Sequence, residues 1–374
     1  MSAVRRAWWG VPAAVAVALA GCSSKPGYPE NLEYPTRADR LVLRVPTAQP
    51  KGLGEPGKLD AELASLDSLG GVTADPGIVP PGVRSAIDRA LAESFGSPAN
   101  PHLSGADAER LALGSRLYRR HCLQCHGLTG DGRGPTGQWI YPHPRDFRRG
   151  SFKFVTTGDG GKPRKADLAR TLREGLRGTG MPAFSLLPET DRELLASYVQ
   201  FLSVRGQTEF TALQSALADD EPHPEQVAAE RLPVILAEWK KAEAAPTVAA
   251  PAIPDDAAKQ SAEHLAAVRR GYELFTDKGR TDCATCHEDF GRTTTFRYDV
   301  WGTVVQPADL TLGGFKAGDR PDELFHRIRG GIQPVGMPAH PSLSDSQTWD
   351  LVWFVRALPY PRELPEDVRS KVYR

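Results

Sequence analysis

Cys122-Leu123-Gln124-Cys125-His126 and Cys283-Ala284-Thr285-Cys286-His287 are the stretches that decide how this chain folds. They share one spacing and lie in opposite halves of the chain. The chain has five cysteines, so with Cys22 set apart near the N-terminus no thiol remains for a structural disulfide. Unpaired thiols are a liability in an oxidising compartment. Two close pairs in such a place imply covalent capture of a ligand rather than free dithiols.

The spacing has a geometric reason. Two thiols three positions apart on a turn of helix reach both vinyl groups of one porphyrin, and the next residue sets an imidazole beneath the iron. Cys-x-x-Cys-His is the c-type haem attachment signature, so two covalently attached haem c groups are expected. A four-cysteine zinc site or a thioredoxin-type redox pair would also use the thiols. Both leave the histidine after each pair without a role, twice in one chain.

A six-coordinate iron needs a second axial ligand, and the chain has three methionines. Met1 leaves with the leader. The others occur as Gly180-Met181-Pro182 and Gly336-Met337-Pro338, at nearly the same interval past His126 and His287. Methionine as core filler has no reason to fall twice between Gly and Pro at matching distances from a haem histidine. Met181 and Met337 are therefore the expected distal ligands, a pairing that raises the reduction potential relative to two histidines. His143 and His340 lie near enough in sequence to compete. His143 has no counterpart in the other copy, and both are assigned to the surface or to the surroundings of the ligands.

Both sites sit in a repeat of about one hundred residues. Leu168, Leu172, Gly175, Leu176, Gly180, Met181 and Pro182 align without a gap with Leu324, Ile328, Gly331, Ile332, Gly336, Met337 and Pro338. Tyr198 and Phe354 follow their methionines at one and the same interval. Upstream, Gly114-x-x-Leu117-Tyr118 matches Gly271-x-x-Leu274-Phe275 on an amphipathic, charged helix. Glycine in mid-helix costs stability, so its recurrence predicts close approach of another helix, with Tyr198 or Phe354 at the crossing. The loops after the histidines diverge. The first holds Gly127, Gly130, Gly132 and Gly134 before Pro144-Arg145-Asp146-Phe147. The second keeps Pro307-Ala308-Asp309-Leu310 but has Glu288-Asp289-Phe290-Gly291 in place of the glycine cluster.

Each copy resembles a class I cytochrome c domain, with the Cys-x-x-Cys-His helix, Pro-rich loop, Met loop and terminal helix in family order. The likeness covers 105–205 and 260–360. It implies Cys122, Cys125, His126 and Met181 at one haem, and Cys283, Cys286, His287 and Met337 at the other. The expected fold is mainly α: two such helical domains joined by a helical and Ala/Pro-rich linker, 206–259, with an irregular N-terminal extension, 22–104, and a C-terminal tail, 361–374. Within the extension a helix is expected from Pro81 to Phe95 and a short strand from Leu41 to Val45. Glu225 to Lys241 is expected to be helical, with Pro233 kinking or splitting it.

Arg5 and Arg6 precede an apolar run from Ala7 to Ala20 that is too short to span a bilayer and has the pattern of an export signal, 1–21. Leu19-Ala20-Gly21-Cys22 resembles the lipobox of bacterial lipoproteins, which implies lipidation at Cys22 and a protein held outside the cytoplasm, facing the periplasm, on a bacterial membrane. Formal charge is zero, and −2 without the two leader arginines, so there is no basic field for nucleic acid. An iron with both axial positions held by protein passes electrons rather than doing bond chemistry. The expectation is a carrier rather than a catalyst, taking electrons from one redox protein to another in a respiratory chain beside a membrane complex. The alternatives are a dihaem oxidoreductase of peroxidase or thiosulfate-oxidising type, with one open haem, and a redox-sensing or structural lipoprotein.

Overall fold

In the computed structural model of this chain, residues 32–42, 73–158, 161–219, 222–293, 295–299 and 303–373 are described. The leader, Cys22 and residues 43–45 of the expected strand lie outside them.

The stretch before each cysteine pair is a capped helix. Asp107 accepts from the Arg110 amide to start α2 (Ala108–His121), which follows α1 (Pro81–Phe95). The cysteine turn is α3 (Leu123–His126), followed by α4 (Lys165–Glu174), α5 (Glu189–Ala218) and α6 (Pro224–Glu243). The second copy runs α7 (Ala262–Thr276), the cysteine turn α8 (Cys283–Cys286), α9 (Pro321–Gly330), α10 (Asp345–Ala357) and α11 (Glu366–Val372). Two small antiparallel pairs lie among the described residues: β1 (Leu41–Val42) with β2 (Thr73–Ala74), and β3 (Arg297–Tyr298) with β4 (Val304–Val305).

Each domain rests on the helix before its cysteine turn (α2 or α7) lying against the helix after its methionine loop (α5 or α10). A Cβ built on Gly114 would stand 2.6 Å from the Leu194 carbonyl and 3.0 Å from the Tyr198 Cβ. One built on Gly271 would stand 2.1 Å from the Asp350 carbonyl and 2.7 Å from the Phe354 Cβ. The repeated glycine thus serves the close crossing expected of it. Tyr118 and Tyr198 meet at 5.3 Å between ring centroids, Phe275 and Phe354 at 5.4 Å, and all four rings are buried. Separate apolar cores surround the two crossings.

Segments outside the repeat are built into these cores. α5 continues without a break past residue 205 to Ala218, so the first part of the expected linker is an extension of the last helix. α6 runs through Pro233 as a single element and packs on α5 and α1, with Trp239 buried. Val368 and Val372 of α11 are buried in the second core, so the C-terminal tail is part of that domain.

The described part of the N-terminal extension is a strap on the first domain. Tyr34 shares a 2.8 Å hydrogen bond with the Tyr198 hydroxyl, the Arg37 amide donates to Glu209, and Leu41 is buried. Asp39 accepts two hydrogen bonds each from Arg37 and Arg148. Burial alone would raise the Asp39 pKa, but the Arg148 and Arg37 guanidiniums outweigh it and hold the carboxyl below the usual carboxylate range.

The domains also meet each other. Arg170 on α4 pairs with Glu323 on α9 at 3.1 Å, and the Glu323 side chain is buried. The Arg327 guanidinium lies over the Phe154 ring, the Arg177 amide donates to the Lys316 carbonyl, and the Tyr141 hydroxyl donates to the Val304 carbonyl.

Two outcomes test this packing. Gly271→Ala gains up to about 1 kcal/mol of helix propensity but overpacks the crossing, so a net loss of about 1 to 2 kcal/mol is expected in urea unfolding. Gly82→Ala, with nothing within 4 Å of the added methyl, is expected to be neutral or stabilising. For the strap, the folded pKa of Asp39 lies below its unfolded value. Its contribution is therefore complete at neutral pH and lost as pH falls through the folded value, beneath the ordinary carboxylate range. Hydrogen exchange of residues 32–41, corrected for intrinsic rate, should show protection at pH 5 that falls toward pH 3; in Asp39→Asn the protection should be low at both.

Candidate functional site

The cysteine turns share the hydrogen bond that closes them. The His126 amide donates to the Cys122 carbonyl and the His287 amide to the Cys283 carbonyl, both at 2.9 Å, so one helical turn puts the thiols and the imidazole in fixed relation in each copy. None of these four cysteines is disulfide-bonded. Burial, with Cys125 beside it, pushes the Cys122 thiol up to about 12, which is the opposite of an activated redox thiol. Among the described residues no three His, Cys, Asp or Glu side chains gather into a metal-binding group, so the two pairs do not converge on a zinc site.

Both imidazoles are oriented by a main-chain carbonyl. His126 Nδ1 is 3.1 Å from the Arg145 oxygen and His287 Nδ1 is 3.1 Å from the Ala308 oxygen, each the residue after the loop proline. With Nδ1 engaged in this way, Nε2 is the nitrogen left to face a metal. Burial pushes His126 down to about 4, against the opposing bond to Arg145, and burial lowers His287 as well. Both rings are thus neutral near pH 7, the form that ligates.

The methionine loops are equally matched. The Leu176 amide donates to the Met181 carbonyl and the Ile332 amide to the Met337 carbonyl. Gly175 and Gly331, at φ +67° and +68°, end α4 and α9 where the methionine loop returns against them. A Cβ on either would fall within 2.8 Å of that loop's backbone. Met181 packs on the core that contains Cys122, and Met337 on the core that Cys283 borders, so each methionine shares a core with the cysteines of its own copy.

Residues 109–199 and 266–355 both match the family model described as cytochrome c oxidase, cbb3-type, subunit III. These are tandem cytochrome c domains. A chain of the Kuenenia stuttgartiensis reducing HAO-like protein complex is similar to this one at 25% identity, with a TM-score of 0.47 over 66% of this chain and 95% of that one. No curated protein matches.

Cytochrome c domains transfer electrons and carry covalently bound haem c, and the donor set here fits that group. The fit rests on a neutral imidazole with its outer nitrogen satisfied, two thiols on the preceding turn, and a thioether loop on the same core. His143 is exposed, with Nδ1 3.4 Å from the Gly137 carbonyl, and His340 is part of the second methionine loop, where its amide bonds the Arg329 carbonyl.

The two cytochrome c domains differ in what surrounds the histidine. Phe147 stacks on His126 at 4.5 Å, whereas Leu310 holds the matching place in the second domain. There the left-handed positions of the glycine loop are taken by Asp289 and Phe290 at φ +46° and +59°. A bulky residue is strained in that region. Phe290 is held by stacking on Phe275 at 5.7 Å and by contact with Phe354. The carbonyls of Arg145 and Ala308 escape a reading of side chains alone; their signal in the sequence is the repeated Pro-x-Asp.

Gly175→Ala and Gly331→Ala each drive a methyl into one methionine loop. Each is expected to displace the methionine loop of its own domain, read as a changed methyl resonance of Met181 or Met337 alone, leaving the other domain's signal and the far-ultraviolet dichroism in place.

Proposed function

We propose that this chain carries two haem c groups, one per domain, and passes electrons one at a time across the interface between its domains. In this reading Cys122 and Cys125, and Cys283 and Cys286, are the thioether anchors. His126 with Met181 and His287 with Met337 are the axial pairs. Bound haem supplies a metal that changes charge by one electron with little nuclear movement. The chain would supply an imidazole and a thioether at each site, and with both bound no position would remain for substrate.

The observation that carries the reading is that one complete donor set occurs twice with the same backbone hydrogen bonds. Neither copy lacks its methionine loop, which favours two closed sites over one closed and one catalytic. The buried Arg170–Glu323 pair and the Tyr141–Val304 bond favour a fixed relay over two carriers swinging on a linker.

The wider setting completes the proposal. Lipidated Cys22 holds the protein to a bacterial membrane on the periplasmic side, and its donor and acceptor are redox proteins of a respiratory chain. The matching family's description as an oxidase subunit supports a membrane respiratory complex as one partner. No helix among the described residues is long and apolar enough to cross a membrane. In this reading the lipid at Cys22 is the attachment.

Potentiometry followed by visible spectra tests the core of it. Two one-electron waves with c-type spectra are expected, and carbon monoxide should leave the spectrum of the reduced protein unchanged. Ready carbon monoxide binding at one site would favour the oxidoreductase reading instead. Cys22→Ser is expected to release the protein from the membrane fraction with its spectrum intact.

A further inference from the structure

The repeat breaks its symmetry at one side chain beside the histidine. The carbonyl that orients His287 belongs to Ala308, whose side chain is a methyl group, while the one that orients His126 belongs to Arg145. The Arg145 guanidinium reaches across the domain boundary to Asp299, Nη1 to Oδ2 at 3.9 Å. Asp299 follows β3 directly, in the hairpin that the second domain places between its Glu288–Gly291 turn and the Pro307 loop.

Asp299 is rigid before it meets the other domain. Its Oδ1 accepts from the Thr303 amide at 2.9 Å, and its own amide donates to the Thr303 carbonyl at 2.9 Å. Its Oδ2 is 3.1 Å from Lys153 Nζ, and the side chain is 1% exposed. The hairpin also takes the Tyr141 hydroxyl. It therefore grips the 141–153 loop on both sides of the peptide that orients His126. Desolvation consumes most of what a buried carboxylate gains from its cations, so adhesion alone is a weak reason for burying this one.

We propose that Asp299 is a positioning residue for the first domain's haem: from the second domain it holds Arg145, and so fixes the carbonyl that sets the orientation and basicity of His126. The second domain has no reciprocal device, because Ala308 offers nothing to grip. The proposal rests on His126 being an axial ligand. A firm Nδ1–H···O=C bond makes the imidazole a stronger donor and favours the oxidised metal. Loosening it favours reduction of the first site relative to the second.

The test uses the full-length, haem-loaded protein. In Asp299→Asn the electron distribution of the half-reduced protein is expected to shift toward the first site by up to about tenfold, the low end of what loss of a ligand's direct hydrogen-bond partner costs, because Asp299 acts one residue further out. The His126 Nδ1–H resonance should move while that of His287 stays. Lys153→Gln changes the local charge by one unit in the opposite sense and leaves Asp299 and Arg145 together, so it should leave the His126 resonance in place. Tyr141→Phe loosens the hairpin without touching Arg145 and should do the same. Asp299→Glu should restore part of the distribution.

A His126 resonance unmoved in Asp299→Asn, or moved equally in Tyr141→Phe, overturns the proposal and leaves the two-haem reading standing. If Asp299→Asn does not fold, an unchanged His126 resonance in Arg145→Ala, which keeps the carbonyl and removes the grip, overturns it equally. If His126→Ala leaves the first site's spectrum intact, the ligand assignment itself fails.

Discussion

The close crossing between the helix before each cysteine turn and the helix after each methionine loop is the contact on which the rest of the structure hangs. It needs a position with no side chain on the former, met by Gly114 and Gly271, and an aromatic residue on the latter, met by Tyr198 and Phe354. With these helices locked, the chain passes from the former to the cysteine turn at once after α2 and through residues 277–282 after α7. The methionine loop reaches the same core from α4 or α9, turning at Gly175 or Gly331. Candidate ligands far apart in sequence are so brought to a single core in each copy.

The paired cysteine turns, the methionine loops and the crossing were legible in the sequence because covalent chemistry and helix geometry tie such features to fixed spacings. Cys-x-x-Cys-His has one spacing because a porphyrin has one size, and a mid-helix glycine is costly enough to need a reason. The interface was not legible in the same way. Asp299 and Arg145 stand in different copies of the repeat, and an ion pair leaves no periodicity to read. The strap shows a different limit. That Tyr198 stands where the second copy has Phe354 was visible, but the use of the hydroxyl appears only once Tyr34 is seen bonded to it. α6 went through Pro233 because packing on α1 and α5 outweighed a local preference for a break. The C-terminal helix hid in a charged segment whose apolar marks include Val368 and Val372, one turn apart.

Two modules that share one backbone arrangement around the cysteine turn and methionine loop thus have different surroundings. The first is wrapped by the strap, by α1 and by α6, and its histidine is buried against Phe147. The second has a partly buried histidine, a strained Asp289–Phe290 turn and the hairpin that reaches its neighbour. Burial in a low-dielectric site disfavours the more highly charged oxidised metal, so in the two-haem reading the buried surroundings of His126 favour reduction of the first site, against the opposing pull of its bond to the Arg145 carbonyl. In that reading the difference between the sites comes from loops and appended segments, since the candidate donor residues are the same in both copies.

The claim beneath all of this is that two porphyrins are bonded through sulfur to one polypeptide. Mass spectrometry of the mature protein under denaturing conditions tests it most directly. The account predicts two haem increments that survive unfolding and map to the peptides containing Cys122–Cys125 and Cys283–Cys286. A polypeptide that unfolds to a mass with one increment or none would contradict it.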